Sequence, residues 1–224
     1  MTSNHHFQAS ILHETPDWIA INKPDGIGMH TEDEQPGIVV RLSDFVGEKL
    51  WPVHRLDKVT SGVLLMARNG KAAAQLGKLF EHHDIQKFYI AQSTDKPTKK
   101  QGWIKGDMEK SRNGSWKLTR RMDNPAITRF LSSYSESRQR RQFLLAPKTG
   151  KTHQLRVALK SVGSPIEGDQ RYKGTASDRT YLHAAGLVFN WQGEHIEVTA
   201  PPERGDWSGI PPEWLTGPWK ILGQ

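Results

Sequence analysis

The chain has 224 residues, with 31 Lys+Arg against 24 Asp+Glu, a formal charge of +7 and no cysteine. That length suits one large domain or two small ones and is enough to bury a sizeable core. The missing cysteines exclude disulfides, thiolate zinc sites, iron–sulfur clusters and thiol catalysis.

The elements read as follows in chain order. Residues 11–15 and 17–22 form two short strands around a Pro16-Asp17 turn, and Lys23-Pro24-Asp25-Gly26 closes the second with turn chemistry. Val39, Val40, Leu42, Phe45, Val46 and Leu50 recur near helical spacing and predict a helix over 38–50. Ser61–Ala67 is a short apolar run, a buried strand. An Ala-rich helix follows from Lys71 to about His82, then a strand over 86–92. Residues 93–125 are polar, basic and broken by Gly and Pro, which predicts hairpins and loops. Strands follow at 126–131 and 142–147. Thr152 is placed to cap a helix over 153–162 that Gly163 closes. Residues 181–189 and 195–199 are late strands. The sum is an α+β fold with a mostly antiparallel mixed sheet and about three helices. No linker divides the chain, so residues 1–224 read as a single catalytic domain.

Eight tryptophans argue against disorder, since such rings need a packed environment. No apolar run approaches the roughly 18 residues of a membrane span, and Met1–His6 lacks a secretory layout. The expectation is a cytoplasmic protein, monomeric because no exposed apolar stripe is obvious. The adjacent pairs His5-His6 and His82-His83 lack ligand spacing and read as surface residues.

Charge is uneven. Residues 1–50 carry 3 basic and 8 acidic side chains, whereas 96–129 carry 10 basic and 3 acidic. The positive middle includes Lys99-Lys100, Arg120-Arg121 and Arg138-Gln139-Arg140-Arg141. A basic segment within a folded chain suits a polyanion, RNA or DNA first; a solvated charged face is the competing account. Trp116 among these charges fits base stacking or simple packing.

Two stretches concentrate reactive side chains: Pro52-Val-His54-Arg55-Leu-Asp57-Lys-Val-Thr60-Ser61-Gly62, and Lys148-Thr-Gly150-Lys151-Thr152-His153-Gln154-Leu-Arg156. The first sets a carboxylate beside cations in a polar loop before a buried strand, where catalytic groups tend to sit. In the second, Gln154 and Arg156 are not both expected to face a core. A pair of solvated ion-pair loops explains the spacing equally well.

The first stretch closely resembles the active-site signature of RluA-type pseudouridine synthases, and so does Gly150–Arg156 followed by Gly163-Ser-Pro165-Ile-Glu-Gly168-Asp169. Lys87-Phe-Tyr89-Ile-Ala91, Ala126-Ile-Thr128-Arg-Phe130 and Tyr181-Leu182-His183-Ala184 are similar to that family's remaining strands. Five motifs in family order span residues 10–202.

The resemblance implies isomerisation of a uridine in RNA without a cofactor: the N1 glycosidic bond breaks, the base turns, and C5 bonds to the ribose. It implies that Asp57 is the catalytic aspartate, as nucleophile or base. A guanidinium beside it favours the charged form, and Arg156 is the implied partner in a bidentate pair. Tyr89 is implied to stack on the uracil, Arg55 to enter the RNA beside the flipped base, and Leu182 to line the uracil pocket. His54, Lys151, His153 and Gln154 are expected to shape or contact the substrate loops. Lys99, Lys100, Arg120 and Arg121 are expected to grip RNA, a ribosomal or transfer stem-loop, because no separate RNA-binding domain is expected ahead of the first strand. Lys151, Ala158 and Ser164 depart from the residues many members carry, which bears on subfamily and substrate. Two other functions remain: a non-catalytic RNA-binding or RNA-folding factor, and a metal-free ribonuclease using His54 and His153 as acid and base.

Overall fold

The computed structural model describes residues 10–223; His5-His6 lies outside the described residues. The elements are β1 (Ser10–Glu14), β2 (Trp18–Lys23), α1 (Ile38–Val46), β3 (Trp51–Pro52), β4 (Ser61–Ala67), α2 (Gly70–Glu81), β5 (Gln86–Ser93), β6 (Gln101–Gly106), β7 (Met108–Lys110), β8 (Trp116–Leu118), β9 (Ala126–Ser135), β10 (Arg140–Pro147), α3 (Gln154–Ser161), β11 (Leu182–Trp191), β12 (Glu194–Thr199), α4 (Glu213–Thr216) and α5 (Trp219–Leu222).

Ten strands share one sheet in the order β1-β2-β4-β11-β5-β10-β9-β6, with β12 on β11 and β3 on β4; β7 and β8 form a separate hairpin. Among the described residues the pairing is antiparallel except between β4 and β11, where Ser61 faces His183 and Gly62 faces Ala184. This is the expected α+β fold with a mixed, mostly antiparallel sheet.

The central strands are apolar on both sides because both faces are covered. Trp18, Ala20, Val63, Leu65 and Ala67 point to one face and meet Ala72 and Leu76 of α2. Ile19, Ile21, Leu64 and Met66 point to the other and meet Ile38 and Leu42 of α1. The period of two in a strand assigns alternate residues to two separate cores. A third core joins β5, β9 and β10 to α3 and the C-terminal residues Trp207, Trp214 and Leu222.

Helix boundaries follow local chemistry. Asn69 caps α2 by accepting from the Ala72 amide at 2.8 Å. The helix expected over 38–50 stops at Val46, because Gly47 turns left-handed at φ 72°. The expected Thr152 cap is corrected: His153, at φ 58°, occupies the N-cap position of α3 and no side chain caps it. Gly163 ends that region at φ 79°, as expected. The short elements β3, α4 and α5 carry too few residues for periodicity to reveal them.

Gly62 explains one residue of the reactive loop. Its φ is 110°, and a Cβ there would run into the carbonyl oxygen of Ala184 across the parallel pairing. Gly62→Ala is expected to destabilise the fold by about 3 kcal/mol through overpacking and backbone strain. Thermal unfolding checks this; an unchanged melting temperature would refute the account.

Candidate active site

The loop from β3 into β4 carries Asp57 and is tied down along its length. The carbonyl of Asp57 accepts from the Thr60 amide at 3.0 Å. His54 Nε2 accepts from the Leu65 amide at 2.8 Å, and its ring stacks on Phe80 with centroids 4.5 Å apart. Burial, helped by nearby Lys87, pushes the His54 pKa down to about 3. His54 is therefore a neutral ring whose acceptor nitrogen is already used. Lys23, wholly buried, reaches the Thr60 carbonyl at 2.9 Å and the Pro24 carbonyl at 2.8 Å. Burial lowers its pKa to about 8 against the opposing charges of Asp25 and Asp57. The sequence marked Lys23 only as turn chemistry; a lysine ending an otherwise apolar strand was the available signal.

Arg156 comes from α3 and lies beside Asp57. Its Nη1 donates to Asp57 Oδ2 at 3.1 Å, while Nε and Nη2 donate to the two oxygens of Asp169 at 2.7 and 2.8 Å. The bidentate pair expected with Asp57 is thus made with Asp169, and Asp57 receives a single bond. Burial alone disfavours the Arg156 cation, but hydrogen bonds and charges from Asp169 and Asp57 outweigh it and raise its pKa. Arg156 and Gln154 are each 5% exposed, which corrects the expectation that one of them faces outward. Both are accommodated because every polar group finds a partner. Gln154 accepts from Thr149 Oγ1 and the Lys151 amide, and donates to Thr128 Oγ1 and the Ile127 carbonyl.

His153 stands on the other side of the carboxylate, with Nε2 3.9 Å from Asp57 Oδ2. Its Nδ1 lies 2.8 Å from the Tyr172 hydroxyl, which itself accepts from the Trp116 amide at 3.1 Å. The tyrosine proton is therefore available for Nδ1, leaving Nε2–H toward Asp57. Burial lowers the His153 pKa, Asp57 opposing. Trp116 enters this chain through its backbone.

These groups border a cavity of about 400 Å³ whose lining includes Arg55, Asp57, Tyr89, Lys151, Arg156 and Leu182. Tyr89 projects from β5 with its phenol pKa raised by burial and by the Asp57 charge. Leu182 opens β11 and is 3% exposed. Arg55 is exposed at the rim, and Lys151 there bonds Asn124 Oδ1 at 2.8 Å. Lys99, Lys100, Arg120 and Arg121 are exposed and lie outside the lining. Lys99 bonds the Trp103 carbonyl, and Arg121 pairs with Asp123 at 2.6 Å. Among the described residues no helix is long and apolar enough to cross a membrane.

Asp57, held by Arg156, thus lines one cavity together with Tyr89 and Leu182. The family described as RNA pseudouridylate synthase matches residues 17–161. An RNA pseudouridine synthase of Haemophilus influenzae is 50% identical over 201 residues, covering 88% of this chain and 89% of the relative. The ribosomal large subunit pseudouridine synthase C of Rickettsia bellii is 35% identical, covering 85% of this chain and 67% of its own. The tRNA pseudouridine synthase C of Salmonella typhimurium is 30% identical, covering 85% and 80%. The solved human RNA pseudouridylate synthase domain containing 4 superposes with a TM-score of 0.69 at 26% identity, covering 87% of this chain and 89% of that one. The chain belongs to the RNA pseudouridine synthase family, and its activity is the isomerisation of uridine in RNA.

The neutral imidazoles make stability depend on pH. His183 is fully buried between Ser61 Oγ and the Ala200 carbonyl, and burial pushes its pKa down to about 4. His54 and His183 bind protons in the unfolded chain before they do in the folded one, so their contribution is complete above about pH 6.5 and is lost as pH falls toward about 4 for His183 and about 3 for His54. The urea midpoint is expected to fall steadily across that window. A midpoint independent of pH there would refute the neutral, buried state of both rings.

Proposed function

We propose that this chain converts a uridine of a ribosomal or transfer RNA stem-loop into pseudouridine at the cavity over Asp57, in the cytoplasm, as a monomeric single domain and without a cofactor. The observation that carries the reading is Asp57, held by Arg156, in the lining of one cavity with Tyr89 and Leu182. The names of the Rickettsia and Salmonella relatives support the two RNA classes.

In this reading the target uridine leaves its stack and enters the cavity. Tyr89 and Leu182 hold the ring while Asp57 acts on the nucleoside, as nucleophile or base. The N1–C1′ bond breaks, the uracil turns, C5 bonds to C1′, the C5 hydrogen leaves as a proton, and N1 gains one. No electron leaves or enters overall. Arg156 keeps the carboxylate directed into the cavity. His153 and Lys151 flank the nucleotide's entry, and Arg55 on the rim stacks on or clamps the neighbouring RNA. Gln154 acts by holding the loops, since its amide groups are spent within the protein, and His54 ties its loop to β4 through Nε2. The ribonuclease reading needs two free imidazoles, and His54 Nε2 is occupied by the Leu65 amide. A pure RNA binder has no need of the Asp57–Arg156 arrangement.

RNA tritiated at uridine C5 tests the activity, because each turnover releases one tritium to water. Asp57→Asn is expected to lower release at least about 10⁴-fold while RNA affinity stays within a few-fold. Equal loss of binding and release would overturn the role of Asp57. Changing Lys99, Lys100, Arg120 and Arg121 to Gln is expected to flatten the dependence of log affinity on log salt by about two to three units. An unchanged slope would show that these charges serve solubility alone.

A further inference from the structure

Lys87 lies two residues before Tyr89 on β5, on the same face of the strand and about 7 Å along it. It lines the cavity over Asp57 and also a second cleft of about 460 Å³, whose lining includes His83, Asp84, Lys148, Asn190 and Leu222. His83 and Pro147 are shared in the same way, so the two hollows meet at Lys87. Burial lowers the Lys87 pKa. Among the described residues, the ammonium groups of Lys87 and Lys148 have no hydrogen bond or ion pair, although Glu81 and Asp84 border the same ground. Of the other cations lining the cavity, Arg156 is engaged by Asp169 and Asp57 and Lys151 by Asn124, while Arg55 is solvent-exposed.

A partly desolvated ammonium without an acceptor is costly, and an anion arriving in the cleft offsets that cost. A lysine presents a compact point charge suited to phosphate. We propose that the second cleft is a subsite for the RNA strand next to the flipped uridine, with Lys87 and Lys148 holding phosphodiester oxygens of that strand. This rests on the functional reading above and extends it from the target base to its neighbours. Lys87 would fix where the backbone runs as the base enters under Tyr89. It is a binding residue and takes no part in bond making.

The test measures RNA affinity across a sodium chloride series, with unfractionated tRNA and fragmented ribosomal RNA as probes. Asp57→Asn serves as the non-reacting parent. Adding Lys87→Met is expected to weaken binding at least fivefold at low salt and to make the log–log slope shallower by about 0.7–0.9 for the lost phosphate contact. Lys87→Arg is expected to keep the parent slope. Lys148→Gln, at a partly exposed position that leaves the core intact, is expected to produce a similar decrement and keeps the test open should Lys87→Met fail to fold. Slopes that superimpose on the parent for both substitutions would overturn the subsite. Tritium release by the wild type is a separate readout. Its absence would overturn the functional reading while the salt slopes still decide the role of Lys87.

Discussion

The active cavity depends on one buried guanidinium. An unpaired arginine in the interior would face a desolvation penalty of several kcal/mol. Asp169 removes that penalty with two short hydrogen bonds and leaves Nη1 free to meet Asp57. The geometry of the Asp57 carboxylate is therefore set by a second carboxylate, Asp169, that lies outside the cavity lining. Asp169 is itself placed by a tight turn. Its amide donates to the Ile166 carbonyl, and Gly168 at φ 80° sits where a Cβ would strike the Arg179 carbonyl. The order of dependence runs from backbone turn to Asp169, to Arg156, to Asp57.

The same loop is clamped at its other contacts by polar groups that are spent in doing so. His54 holds it to β4, Lys23 holds the Thr60 carbonyl, and Ser61 Oγ accepts from Arg179 at 2.7 Å while facing His183 Nδ1 at 2.8 Å. Arg179 in turn pairs with Asp25 at 3.3 Å. Each clamp is buried or half-buried, so water does not compete for it. A carboxylate held this way needs little reorganisation when a ligand arrives.

The strands were legible because they are long, apolar and bounded by turn residues, as in Trp18–Lys23 and Ser61–Ala67. The two-sided burial of those strands was not, since a run that is apolar throughout does not say which residue faces which helix. Asp57, Arg156 and Tyr89 were legible through family motifs. Their hydrogen-bonding pattern was not, because Asp169 is 13 residues from Arg156 and a carboxylate's partner is decided by tertiary packing. The burial of Gln154 was not legible for a related reason: its four internal partners are supplied by tertiary packing. The Thr152 cap failed because the loop enters α3 through a left-handed His153, a conformation that sequence disfavours and that turns the imidazole toward Tyr172 and Asp57.

The pairing of cations around the cavity separates two tasks. A polyanionic substrate pulls on every positive group it meets, including any that orients the catalytic carboxylate. Arg156 resists that pull because two of its three nitrogens are held by Asp169 and the side chain is only 5% exposed. Arg55, by contrast, lines the same cavity and is exposed. Had Arg156 been left with Asp57 as its sole partner, a phosphate near the entrance would compete for the guanidinium and tilt the carboxylate with it. Neutralising Arg156 from within lets the surface be strongly basic without disturbing the aspartate.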